Sequence, residues 1–231
     1  DTRTVFEVIK DLRKSGVRAY PNITSVVEFE TEMKIHPLGT ISNITTTLGN
    51  ENGYFSIINT DEHGFNNPKG LYKNKNIDIV LVGDSFAEGA AVNYYESIGG
   101  ILNKLNYKSI TLGKSGKGPL FALATIKEYA EKLKPKYVLW MFFENDLDDL
   151  GYEMKSSILT KYLNDYEFSQ NLISRQHEID EIQINYALVG LNEKNQAIEN
   201  KINKNVYFNN FSFVNFLKLY NLRKILGVRP E

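Results

Sequence analysis

Three short apolar runs, each followed by a small or polar loop, constrain the fold of this chain more than any other feature. They cover residues 77–82, 109–112 and 137–143, and helical patterns over residues 94–105 and 120–133 lie between them. Strands that are apolar throughout are typical of a parallel sheet covered by helices on both faces. The pattern predicts an α/β fold with three adjacent parallel strands joined by two right-handed crossovers, and with residues 77–82 in the middle.

The first 76 residues differ in texture and are interpreted as a lead-in subdomain, irregular and β in character, whereas residues 77–231 are interpreted as the α/β domain. The lead-in opens with an amphipathic helix whose apolar residues recur at helical spacing until Gly16, a typical C-cap. Short β-type pieces, separated by Pro, Gly and Asn, follow from residue 24 to residue 58.

Beyond Gly151 the sequence is rich in Asn, Lys and Glu and is patterned as helix, and an apolar helical stretch follows over residues 211–226. No fourth apolar strand is recognisable after residue 143. The α/β pattern of this chain therefore predicts three strands and no more.

Three loops follow the predicted strands: "GDSFAEG" at 83–89, "GKSGKGP" at 113–119 and "ENDLDD" at 144–149. Because ligands bind outside the carboxyl ends of strands in an open parallel sheet, these loops are the expected site. Each loop alone is also ordinary turn and helix-cap chemistry. Together they supply a serine hydroxyl, backbone N–H groups at glycines and an Asn amide, which are the parts of a nucleophile with an oxyanion hole.

These loops resemble the first three sequence blocks of the SGNH/GDSL hydrolases, in "GDSF" at 83–86, a glycine in the second loop and "ND" at 145–146. The close resemblance covers residues 77–149, and a looser one to bacterial envelope-associated members covers residues 37–68. The resemblance implies a flavodoxin-like three-layer fold with a central parallel sheet, here incomplete. It also implies hydrolysis of acetyl and other esters.

Matched residue by residue, the resemblance implies that Ser85 is the nucleophile. Its own N–H, the N–H of Gly116 and the side-chain amide of Asn145 match the three oxyanion donors. Gly116 is preferred to Gly113 because the family glycine commonly follows a serine, here Ser115. Glycine lets the backbone approach the tetrahedral intermediate without a Cβ in the way.

The acidic residues beside these positions are given a structural role. Asp84 and Asp146 are interpreted as residues that order their loops, because Asp side chains commonly hydrogen-bond to nearby backbone N–H groups.

The base that a serine hydrolase needs is missing from the expected place. The family supplies it in a C-terminal "DxxH" block, which this sequence lacks. Of the three histidines, His36 and His63 precede Ser85 and are assigned surface or loop roles, and His177 lies on a polar helical stretch and is expected to be solvated. The absence indicates either that the chain ends before the sheet and site are complete or that the family's chemistry has been lost.

Composition excludes several other classes. With 27 basic and 28 acidic side chains the net charge is −1, so nothing draws the chain to nucleic acid. There is no cysteine, which excludes a thiol nucleophile and a Cys-based zinc site. No apolar run is long enough for a membrane span. We expect no cofactor and no metal.

Three functions are carried forward from these observations. The first is an ester hydrolase that removes O-acyl groups from a small molecule or polysaccharide, in the periplasm or cell envelope if the resemblance holds. The second is an inactive SGNH-like scaffold that binds an acyl or glycan ligand. The third is phosphate binding by "GKSGKGP", which ranks last because the loop lacks the P-loop spacing.

Overall fold

The computed structural model describes residues 1–23, 30, 34–74 and 76–191. Its first element is helix α1, Val5–Lys14, which begins with a capping box: the Thr4 hydroxyl accepts from the Glu7 N–H, and the Glu7 carboxylate accepts from the Thr4 N–H. After Ser15, Gly16 takes a left-handed backbone conformation with φ of +81°. The predicted helix and its terminal glycine are confirmed.

Two short strands follow in the predicted β-type region. Strand β1, Thr45–Thr47, pairs antiparallel with β2, Ile57–Asn59. The first predicted β piece, at residues 24–33, lies outside the described residues apart from residue 30.

The centre of the molecule is a parallel sheet of three strands. Strand β3, Ile79–Gly83, lies between β4, Ser109–Thr111, and β5, Tyr137–Met141. In the register, Leu81 lies beside Thr111 on one side and beside Leu139 on the other. The predicted order and direction of the strands are confirmed, and the protein has a mixed α/β fold.

The helices between the strands differ in regularity from the prediction. A short helix α2, Ser85–Glu88, follows β3, and α3, Ile98–Lys104, precedes β4. Helix α4, Pro119–Thr125, continues without a break as a π-helical turn, Ile126–Ala130, and a last 3-10 turn. One predicted helix over residues 120–133 is thus a chain of three helical forms.

Coverage of the sheet is uneven, which corrects the expectation that helices cover all three strands. Every residue of β3 and β4 is buried, whereas Tyr137 to Trp140 of β5 are between 42% and 65% exposed. Leu81 and Thr111 lie against α3 through Gly99, where an added Cβ would be 2.6 Å from Thr111 Oγ1. The helices therefore pack over the β3–β4 half of the sheet.

Side-chain amides close the outer edge of β4. The Thr111 N–H donates to Asn67 Oδ1 at 2.8 Å, and Asn67 Nδ2 donates to the Thr111 carbonyl at 2.8 Å. Asn103 forms the same pair of bonds with Ser109, at 3.2 and 2.9 Å. These two asparagines occupy the positions that the backbone of a further strand would take.

Three helices follow β5: α5, Asp146–Glu153, α6, Leu159–Asn164, and α7, Gln176–Leu191. The helical character predicted beyond Gly151 is confirmed as far as residue 191. The apolar helix predicted over residues 211–226 lies outside the described residues. In the described part of the chain no helix has the length and apolar character to cross a membrane.

One apolar core joins residues from both sides of position 76. Ile35, Leu38 and Ile41 pack with Val80 and Ile110, all at most 1% exposed. The division into a lead-in and an α/β domain stays a prediction about folding units.

Hydrogen bonds also tie the lead-in to the helices after β5. The His36 N–H donates to Gln170 Oε1 at 2.7 Å, the Ser42 N–H to Asp180 Oδ1 at 2.8 Å, and Gln183 Nε2 to the Gly39 carbonyl at 3.0 Å. These three contacts span 134, 138 and 144 residues of sequence.

Candidate functional site

Ser85 lies at the carboxyl end of the central strand, as predicted. Strand β3 ends at Gly83, and Asp84 then caps α2 by accepting the Phe86 N–H at 3.0 Å. Ser85 opens this helix and is 4% exposed. The chain leaves the helix at Gly89, whose φ of +75° only glycine adopts without strain.

The second loop packs tightly against α2. An added Cβ on Gly113 would lie 2.4 Å from Ala87 Cβ and 2.5 Å from the Glu88 nitrogen, so only glycine fits there. The Ser115 N–H donates to Glu88 Oε2 at 2.8 Å, and the Ser115 hydroxyl donates to the same oxygen. Gly116 comes next, with φ of +67° and open space around its Cβ position. Packing against α2 therefore explains why residue 113 is a glycine, whereas Gly116 lies exposed at the turn.

The third loop is organised by its own acidic residues. Asp146 Oδ2 accepts the Phe143 N–H at 2.9 Å, and Asn145 Nδ2 donates to Asp149 Oδ2 at 3.2 Å. The Asn145 amide also lies close enough to the Asp84 carboxyl to oppose the rise that burial causes in its pKa. Asn145 is therefore beside the residue that precedes Ser85.

The second and third loops meet at Gly118. An added Cβ there would lie 2.9 Å from Asp149 Cβ. Glu153 accepts the Gly118 N–H at 2.7 Å and the Leu120 N–H at 2.9 Å, so it ties the start of α4 to α5. The loops that carry Ser85, Gly116 and Asn145 are thus in mutual contact at the carboxyl edge of the sheet. The roles of these three residues stay predictions.

Carboxyl groups crowd around this edge. Burial raises the pKa of Asp84 and of Asp149. Burial, with the nearby charges of Asp84 and Asp149, also raises the pKa of Asp146 to about 6. The oxygen Asp146 Oδ1 is buried without a hydrogen-bond partner. The site therefore holds three carboxyls whose pKa is raised above its ordinary value, that of Asp146 to about 6.

The histidines lie elsewhere and bond to other partners. His36 lies in an irregular segment, as expected, but it is 6% exposed and its Nδ1 bonds to Glu30, so the surface position expected for it is wrong. His63 is half-buried, bonds to Gln176 and packs against tyrosine rings, whereas the His177 side chain is 86% exposed, which confirms that it is solvated.

Burial lowers the pKa of His36 and of His63, which keeps both rings neutral at pH 7. In the described structure none of the three histidines hydrogen-bonds to Ser85.

Glu88 and Glu153 hold the loops of the site, and the sequence pattern did not indicate either of them. Glu88 stands one helical turn after Ser85 within "GDSFAEG". The available signal for Glu88 was an acidic residue three positions after the serine of a small, polar turn. Within the described ranges no cluster of His, Asp and Glu has the arrangement needed to hold a metal ion.

Comparison with known proteins adds no assignment. No family model, no curated protein and no solved structure matches this chain. The functional argument therefore rests on the residues and contacts described above.

Proposed function

We propose that this protein is a serine ester hydrolase of the SGNH/GDSL type, with a flavodoxin-like three-layer fold. Its substrate class is an O-acyl ester of a carbohydrate or related alcohol. Ser85 is the nucleophile, and the oxyanion donors are the N–H groups of Ser85 and Gly116 and the side-chain amide of Asn145.

One observation supports this proposal above the others. The loops that carry the three residues come from three different strand ends and nevertheless contact each other, through Gly113 on Ala87, Glu88 on Ser115, and Gly118 on Asp149. A serine hydroxyl, a glycine N–H and an Asn amide at one sheet edge fit the stabilisation of a tetrahedral oxyanion.

The chemistry proceeds in two acyl transfers. Ser85 Oγ attacks the ester carbonyl, and the oxyanion forms between the three donors. The hydroxyl proton passes to an imidazole base, which no histidine of the described structure supplies and which the experiment below adds. Collapse of this intermediate breaks the ester C–O bond, and the departing alkoxide takes up the proton. Water then attacks the acyl-serine by the same route and releases the acid.

A binding module is the second candidate, favoured by the position of the histidines. Because His36, His63 and His177 have other partners, the Ser85 hydroxyl keeps its proton at neutral pH and is a weak nucleophile. The same donors would then hold a carbonyl or carboxylate oxygen without cleaving a bond.

Chemical rescue with imidazole tests the two candidates against each other. We expect the 231-residue chain to hydrolyse a p-nitrophenyl ester slowly and to respond to added imidazole, which supplies the base. The gain over imidazole alone should disappear in Ser85→Ala. In Asn145→Ala it should fall by about 10²-fold, as for loss of one oxyanion donor.

The control is the stability of each variant, measured by thermal unfolding before the kinetics. Identical rates for Ser85→Ala and the unaltered chain, with and without imidazole, would reject the hydrolase. If acetate or a carboxylate analogue nevertheless perturbs the amide signals of Ser85 and Gly116 in NMR spectra, the binding module is the function.

A further inference from the structure

Glu88 is a buried carboxylate that connects two of the three loops. It stands on α2 three residues after Ser85, and its side chain is 3% exposed. Its backbone carbonyl accepts a hydrogen bond from Asn66 Nδ2 at 2.8 Å, so the end of α2 is also held by the segment before β3. The carboxylate itself points away from α2, into the second loop.

Four donors converge on this carboxylate. Oε2 accepts the N–H and the hydroxyl of Ser115, and Oε1 accepts Lys114 Nζ at 2.9 Å and Asn22 Nδ2 at 3.3 Å. The Lys114 ammonium is also buried and donates in addition to Asn22 Oδ1 at 2.5 Å. Both charges therefore have hydrogen-bond partners inside the protein.

The balance of these contacts keeps Glu88 ionised. Burial alone would raise its pKa, but the Lys114 charge and the Ser115 hydrogen bonds outweigh burial and hold the pKa below its ordinary value. A buried ion pair is seldom the most stable filling for such a space, because both charges lose their hydration. The ion pair instead fixes the orientation of the second loop, since each donor meets a defined oxygen of the Glu88 carboxylate.

The orientation of the second loop bears on the proposed oxyanion donor, because Gly116 directly follows Ser115. Gly116 has a left-handed φ of +67°, and a Cβ added there would meet open space. The Ser115 N–H, which precedes the Gly116 N–H by one residue, is held by its bond to Glu88 Oε2. Ser85 and Glu88 share one helical turn, so the bond from Ser115 to Glu88 ties the helix that carries Ser85 to the residue before Gly116.

We propose that Glu88 is a positioning residue, which holds the Gly116 N–H at the place where it can donate to an oxyanion formed on Ser85. This inference rests on the proposed hydrolase function. Glu88 touches neither substrate nor the reacting atoms and acts through Ser115. A misplacement of about 1 Å in such a donor lowers rates by about 10²-fold.

The test compares Glu88→Gln with a matched control, Glu128→Gln. Glu128 is also a buried carboxylate, and it accepts two backbone N–H groups, from Gln170 at 2.6 Å and Leu172 at 2.9 Å, but it holds a loop after α6. Both variants lose stability, so kinetics are measured at a temperature where each is folded. Glu88→Asp, which keeps the charge beside Lys114, replaces Glu88→Gln if that variant does not fold.

In the imidazole-assisted assay we expect Glu88→Gln to lower kcat by about 10²-fold with little change in KM, because the donor acts on the transition state. Glu128→Gln should leave kcat within about twofold. In ¹⁵N NMR spectra, the amide signals of Ser115 and Gly116 should shift in Glu88→Gln and stay in place in Glu128→Gln.

Two results would overturn the positioning role. One is a folded Glu88→Gln or Glu88→Asp variant with unaltered kcat, and the other is an equal loss of kcat in Glu128→Gln. Absence of any Ser85-dependent hydrolysis in the unaltered chain would instead reject the proposed function itself. In that case unshifted Ser115 and Gly116 signals in Glu88→Gln would also reject the structural part of the inference.

Discussion

Buried carboxylates that accept backbone N–H groups recur through this molecule. Asp61 accepts the N–H groups of His63 and Phe65, and Glu88, Glu128 and Glu153 each do the same for another loop. A carboxylate has about four acceptor positions, so one side chain can satisfy a whole turn that has no strand or helix partner. These hydrogen bonds hold the backbone of irregular segments in one conformation.

Asp146 gives a pH prediction for the candidate site, because its pKa is raised to about 6 in the folded protein. The folded state holds this proton more tightly than the unfolded one, whose Asp ionises near pH 4. The favourable contribution is therefore present below about pH 4 and is lost as the pH rises from 4 to 6. We expect Asp146→Asn to increase the free energy of unfolding by about 1–3 kcal/mol at pH 7 and by well under 1 kcal/mol at pH 4.

Urea denaturation at the two pH values measures this difference. The Asn side chain can still accept the Phe143 N–H, so that bond is kept. An equal gain at pH 4 and pH 7 would show that the effect comes from packing and not from ionisation.

At the scale of elements, β4 depends on asparagine side chains for its outer edge. Asn67 closes this edge at Thr111 and also donates to Asp61 Oδ2 at 2.7 Å. We expect Asn67→Ala to lower the free energy of unfolding by about 2–4 kcal/mol, since it leaves a buried strand N–H and C=O unpaired. Asn67→Asp should lower it further, because a second carboxylate cannot donate and would face Asp61.

Urea denaturation with hydrogen exchange at Thr111 checks this prediction. The Thr111 amide should exchange far faster in both variants than in the unaltered protein. Unchanged protection at Thr111 would mean that another group closes the edge.

The three parallel strands and their order were predictable because apolar runs of four to seven residues separated by helical patterns leave few topologies. The π-helical turn at Ile126–Ala130 was not predictable, since its apolar spacing is that of an ordinary helix. The sites of Ser85 and Asn145 followed from their places after strands. The buried positions of Glu88 and Glu153 could not be predicted, because an acidic residue in a helix is usually solvated. Only the folded structure shows which of these side chains point inward.

At the scale of the whole molecule, the sheet has one closed side and one open side. Leu81 on β3 and Leu139 on β5 are partners in the register, yet Leu81 is 0% exposed and Leu139 is 43% exposed. The same substitution should therefore have very different consequences at the two positions. We expect Leu139→Lys to change the free energy of unfolding by about 0.5 kcal/mol or less, and Leu81→Lys to lower it by about 4 kcal/mol or more.

Thermal unfolding of the two variants under one condition is sufficient for this comparison. A loss at Leu139 as large as that at Leu81 would contradict the exposure of β5 in the folded chain.

The contacts that join residues 36–42 to residues 170–183 also have a consequence during synthesis. On the ribosome, the segment around His36 must wait until Gln170 and Gln183 have been translated before it can form those bonds. At ribosomal rates of roughly 5–20 residues per second, that interval lasts on the order of seven to thirty seconds. Throughout it the apolar side chains of Ile35, Leu38 and Ile41 lack their final surroundings, so the nascent chain should recruit chaperones at this stage and release them once α7 has emerged.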